Sequence, residues 1–144
     1  EEILRLIAGA RVILGTGHIS VPEIVALVKA ARAAGVERVL VTHPESHIVQ
    51  MPVGVQQELA AQGAMFERCY VGSREPGGVP LPQVAGIIRS VGVESTVLST
   101  DFGQAHNPPP VLGFSEYLDG LMAEGFSEAE LRRMASANPA SLLG

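Results

Sequence analysis

The chain carries one cysteine, Cys69, and no tryptophan. A single cysteine excludes an internal disulfide framework and fits a reducing compartment, so a cytoplasmic protein is expected. Lysine and arginine number 10 against 15 acidic residues, a formal net charge of −5. No basic run is available to grip nucleic-acid phosphates or an anionic membrane surface, so neither partner is expected. No apolar run reaches the roughly 18 residues needed to span a bilayer. Gly15-Thr16-Gly17 is not a dinucleotide fingerprint, and there is neither a phosphate-cradling P-loop nor a G-x-S-x-G nucleophile elbow.

What is present is apolar and regularly punctuated. Hydrophobic residues make up 47% of the 144, ample for the core of one domain or of part of one. Glu1 to Ala8 has helical spacing, closed by Gly9, and the chain is expected to continue upstream of it. Short Val- and Leu-rich runs at Arg11–Leu14, Arg38–Thr42, Ala64–Val71 and Ser95–Thr100 read as strands. Between them lie helices over Val21–Ala34, Val53–Gln62 and Leu81–Val91. Ser20 and Glu23 form a capping box, with Pro22 in the first turn. Loops occupy Gly72–Pro80 and Gly103–Gly113, and helices at Phe114–Glu124 and Ser127–Ala137 precede a last turn from Asn138-Pro139.

Four strands alternating with helices predict an α/β protein with a parallel, helix-covered sheet. The pattern suits a small doubly wound sheet or four βα units of a barrel equally well.

Three polar residues recur at one structural place, just after a strand: His18, His43 and Asp101. In parallel α/β proteins the residues past the strand ends line one face, where ligands bind. Two imidazoles and a carboxylate there are the parts of a metal site. His18 reads as a metal ligand or substrate contact, or as a solvent-facing loop histidine. His43 precedes Pro44, which disfavours helical geometry and is expected to hold it extended. Asp101 follows an apolar run and needs a metal, a cation or backbone donors, unless it serves as a turn aspartate. His47, Glu67 and His106 are weaker substrate-binding candidates: one turn past His43, within the third strand, and in the loop after Asp101. Arg74 could hold an anion or be merely solvated. Cys69, inside the expected third strand with no base beside it in sequence, reads as core.

The succession of strands ending at His18, at His43-Pro44 and at Asp101 resembles the amidohydrolase superfamily of metal-dependent hydrolases. The closing Met134 to Gly144, with Asn138-Pro139-Ala140 and Leu143-Gly144, is similar to that superfamily's last helix. The resemblance implies strands five to eight of a (β/α)8 barrel, the C-terminal portion of a TIM-barrel domain. The superfamily's first-strand His-x-His and fourth-strand Lys or Glu have no counterpart here.

On this resemblance His18, His43 and Asp101 hold a divalent metal, expected to be zinc. Asp101 is the catalytic group, handling the proton of a metal-activated water that attacks a small carbonyl or phosphoryl substrate. Each histidine then needs a partner on its other nitrogen, with Glu67 or Thr100 as candidates. A decarboxylase or lyase on the same scaffold, or a non-catalytic α/β domain binding a ligand or protein, is the alternative. A half barrel exposes edge strands and an apolar inner face, so homo-oligomerisation or association with the other half is expected.

Overall fold

The computed structural model describes residues 1–74 and 76–144. Helix α1 (Glu2–Ala10) leads into β1 (Leu14–Gly15), α2 (Val21–Ala33), β2 (Val39–Thr42), α3 (Val53–Ala61) and β3 (Met65–Cys69). A single turn, α4 (Val71–Arg74), precedes α5 (Leu81–Val91), a 3-10 turn (Val93–Ser95) and β4 (Thr96–Ser99). The chain closes with α6 (Pro110–Ala123), α7 (Glu128–Arg132), a π-helical segment (Arg133–Ala137) and α8 (Asn138–Leu143). Among the described residues no helix is long and apolar enough to cross a membrane.

The four strands form one parallel sheet in the order β1-β2-β3-β4. This order decides between the two architectures the sequence left open. A doubly wound sheet reverses its strand order and so places helices on both faces. Here the order is sequential, and crossovers of one hand lay the connecting helices α2, α3 and α5 against the same face. That is the arrangement of consecutive βα units of a (β/α)8 barrel.

Burial follows the same division. Register pairs Val41 with Phe66 and Phe66 with Thr96, and these side chains are enclosed beneath the helices together with Val39, Arg68 and Leu98. The opposite face carries Leu40, Thr42, Met65, Glu67, Cys69 and Ser99, all only partly covered, and Val97, which is buried there beside Glu67. Two apolar clusters hold the helices down. One gathers α1 to α3 around Ile24, Val28 and Phe66. The other joins α5, α6 and α7 to β4 around Ile88, Leu121 and Met134.

Several boundaries differ from the sequence reading, each for a local reason. The first helix is closed not by Gly9 but by Arg11, in the left-handed region at φ 53°. The amides of Arg11 and Val12 bond back to Ala8 and Ile7, which removes them from the strand, so β1 begins only at Leu14. The capping box at Ser20 forms: the Glu23 carboxylate accepts from the Ser20 amide at 2.9 Å. Helix α6 starts at Pro110, inside the expected loop, because proline suits a first helical position.

The expected single helix over Ser127–Ala137 instead widens into the π-helical segment and continues directly into α8. Pro139 lacks an amide proton and its ring would crowd the carbonyl four residues back; the wider turn relieves this. Asn138 anchors the junction, its buried side-chain amide donating to the carbonyls of Val93 at 2.7 Å and Thr96 at 2.6 Å.

Candidate functional site

The four strands end side by side, and each end delivers one polar group. His18 follows β1, His43 follows β2, Cys69 closes β3 and Asp101 follows β4. All four line one cavity of about 310 Å³. The expected loop from Gly72 begins as the helical turn α4, and Gly72 and Ser73 of that turn together with Val79 beyond it form part of the wall.

The ends of β1 and β2 are locked together. The Thr16 amide donates to the Leu40 carbonyl at 3.0 Å, and the buried Thr16 hydroxyl accepts from the Thr42 amide at 3.1 Å. Gly17 then turns the chain at φ 63°, a conformation that favours glycine, and brings His18 over the site. The His18 ring stacks on that of His43, centroids 5.2 Å apart.

His43 is not extended. It sits at φ 46°, and the Ser46 amide bonds back to its carbonyl at 3.0 Å. Pro44 disfavours the right-handed helical region, as the sequence indicated, but an extended residue would carry the chain straight on. The left-handed conformation satisfies the proline and still allows the turn. Asp101 has the same unusual backbone, φ 54°. Such conformations are costly in residues other than glycine, and they cluster where structure holds functional groups in place.

His43 is addressed from both ring edges. Its Nε2 lies 3.8 Å from Asp101 Oδ2, and its Nδ1 lies 2.9 Å from Cys69 Sγ. The expectation that Cys69 is simply core is therefore corrected: it is partly buried, on the open face of the sheet, in contact with an imidazole. The base it lacks in sequence arrives from the neighbouring strand. The useful sequence signal was positional, since strand ends bearing His, His and Asp invite the question of what ends the third strand. Extending that strand to Val71 placed Cys69 in mid-strand and hid it.

The Cys69 thiol is pushed up to about 12, mainly by burial. A thiol, an imidazole and a carboxylate in a row also describe a nucleophilic triad. A nucleophilic cysteine needs a depressed pKa, however, and this one is shifted the opposite way. His43, Cys69 and Asp101 can each bring a donor atom within 4.8 Å of the others. Cys69 and Asp101 face different nitrogens of one ring, so a single ion cannot take all three as they stand. His43 Nε2 and Asp101 are the pair left facing each other, while His18, although stacked on His43, is not among the residues whose donor atoms converge.

The remaining candidates separate clearly. Glu67 lies on the open face and accepts from the Ser99 hydroxyl at 3.2 Å, below the cavity rather than in its wall. His47 is exposed and lines the cavity, but in a turn rather than a helix, because the chain after His43 folds back on itself. His106 is exposed in its loop and lies outside the cavity lining. Arg74 pairs with Glu116 at 2.7 Å. Thr100 accepts from the Phe102 amide at 3.3 Å, so it bridges within its own turn and supports neither histidine.

Arg68 was missed by the sequence reading. It is fully buried on the helix side of β3, contacts Glu45, and donates to Gln56 Oε1 at 3.0 Å. Burial lowers its guanidinium to about 10, leaving it charged at neutral pH. Its place between Glu67 and Cys69 in the strand gave no sign that Glu45 and Gln56 would meet it.

The fold and site thus define a parallel α/β protein with a polar cluster at the C-terminal ends of its strands. Residues 1–67 match DUF6282, described as a family of unknown function. That segment contains His18, His43 and Glu67, whereas Cys69, Ser99 and Asp101 lie beyond it. No curated protein and no solved structure matches the chain.

Proposed function

We propose that the strand-end cluster is the metal centre of a metal-dependent hydrolase of amidohydrolase type, acting on a small carbonyl or phosphoryl substrate. The observation that carries this reading is the spacing of His43 and Asp101. At 3.8 Å their facing atoms are too far apart for a hydrogen bond. Zinc bonds of about 2.0–2.2 Å at tetrahedral angles put such donors roughly 3.3–3.6 Å apart, so a small closure accommodates an ion. The sequential barrel-like sheet supports the reading, because ligands bind at this face of such sheets.

A bound divalent metal, zinc by the chemistry of the donors, would polarise the substrate and lower the pKa of water. His43 would ligate through Nε2 opposite Asp101, and His18, stacked on His43 but outside the group whose donor atoms converge, would have to turn toward the ion to join them. Asp101 is half-exposed at the cavity and free to accept the proton of the attacking water. His47 stands at the cavity wall, where a substrate would pass.

The test is elemental analysis of the purified chain and of His18→Ala, His43→Ala and Asp101→Ala. Near-stoichiometric zinc or another divalent metal, lost in His43→Ala and Asp101→Ala, is expected. Folded protein that takes up no divalent metal on titration would remove the hydrolase reading.

A further inference from the structure

Side chains of β3 and β4 and the histidine just past β2 form a continuous hydrogen-bonded line on the open face of the sheet. Glu67 Oε1 is 3.2 Å from Ser99 Oγ, Ser99 Oγ is 2.9 Å from Cys69 Sγ, and Cys69 Sγ is 2.9 Å from His43 Nδ1. We propose that this line is a tautomer relay in which Glu67 fixes the proton of neutral His43 on Nδ1 and leaves the Nε2 lone pair facing Asp101.

The direction follows from counting protons. An ionised carboxylate only accepts, so Ser99 commits its one hydroxyl proton to Glu67. With that proton committed, the 2.9 Å contact between Ser99 and Cys69 is a hydrogen bond only if the thiol donates, and all three contacts are hydrogen bonds together in this one arrangement. With its single proton committed to Ser99, the Cys69 sulfur can only accept from His43. Nδ1 therefore carries the imidazole proton, and the other nitrogen of the neutral ring is bare. Glu67 thus acts through Ser99 and Cys69 as a positioning residue, without entering the cavity.

The register places these groups together. Cys69 pairs with Ser99 across β3 and β4, while Glu67 sits two residues earlier on the same face. A histidine that binds metal donates its other ring proton to a partner that fixes its orientation, commonly a carboxylate or a carbonyl. Here a thiol stands in that place, and the carboxylate is two links behind it. The importance of the bare Nε2 for a metal rests on the function proposed above; the tautomer itself does not.

The experiment is nitrogen NMR of the His43 imidazole, in chelator-treated protein and at a pH where the ring is neutral. In the unsubstituted protein Nδ1 is expected to be the protonated nitrogen and Nε2 the unprotonated one. Glu67→Leu frees the Ser99 proton to turn toward Cys69, whose thiol then donates to Nδ1, so the Nε2-protonated form should rise. Ser99→Ala should do the same without changing charge. Glu67→Gln keeps an acceptor oxygen and is expected to restore the original tautomer.

Zinc affinity, read separately, should fall about 10- to 100-fold in Glu67→Leu. An Nε2-protonated His43 in the unsubstituted protein, or a tautomer indifferent to both Glu67→Leu and Ser99→Ala in folded protein, overturns the relay. The predicted tautomer in a protein that binds no metal would leave the relay standing and remove only the hydrolase reading.

Discussion

Arg68, enclosed on the helix side of β3, is ion-paired with Glu45 in the turn that begins at His43. The pair ties a strand of the core to the segment that presents the site's central imidazole. Gln56 of α3 and the Thr96 hydroxyl take further guanidinium protons, at 3.0 and 3.4 Å. Each of the three guanidinium nitrogens of this buried cation thereby has a partner within the protein.

Removing one partner of a buried pair leaves the other uncompensated, which typically costs about 3–5 kcal/mol. Arg68→Met is expected to lose stability on that scale in urea denaturation. Adding Glu45→Leu should recover part of the loss, because no lone charge then remains. A loss below about 1 kcal/mol for Arg68→Met would show that the pair does little.

Gly113 is a packing residue of the site despite its place on α6. A β-carbon there would run into the ring of Phe102, which directly follows Asp101. Gly113→Ala must displace that ring, and overpacking of this kind costs typically 1–3 kcal/mol. The expected result is a lowered melting temperature together with weaker metal uptake than in a solvent-face control such as Gly86→Ala, whose added β-carbon meets nothing. Equal metal uptake in the two variants would refute the link between α6 and Asp101.

Glu130 gives the chain an acid-sensitive fastening. Its carboxylate is lowered to about 2, chiefly by the hydrogen bond from Arg89 and then by those from Ser127. A carboxyl lowered in the folded state contributes stability that is complete above its ordinary range. That contribution disappears as pH falls from about 4.5 towards 2. The melting-temperature difference between the natural chain and Glu130→Gln should be constant near neutrality and shrink across that window. A difference independent of pH would contradict the assignment.

The partly covered sheet face, with Leu40 and Met65 on it, and the outer edges of β1 and β4, unpaired among the described residues, favour self-association. Sedimentation velocity over a range of concentrations should show species larger than the monomer. A strict monomer with one cooperative melting transition would count against it.

The local structure was legible in the residues. Helix α5 was readable to both ends because proline opens it and glycine closes it, and the capping box at Ser20 announced α2. The alternation of apolar strands with helices dictated a parallel sheet, and the positions of His18, His43 and Asp101 just past three strands marked one face for chemistry. These features depend on neighbours within a few residues, which sequence displays directly.

Only the tertiary structure decided the strand order, and with it the single helix-covered face and the open one. Only register set Cys69 beside Ser99 and brought Glu67 into line behind them. The buried meeting of Arg68 with Glu45 likewise joins residues 23 apart. Such contacts depend on which strands pair and in what alignment, a property of the whole packed sheet. The left-handed backbone at His43 belongs to the same class: proline narrowed its choices, and the turn imposed by the surrounding fold selected among them.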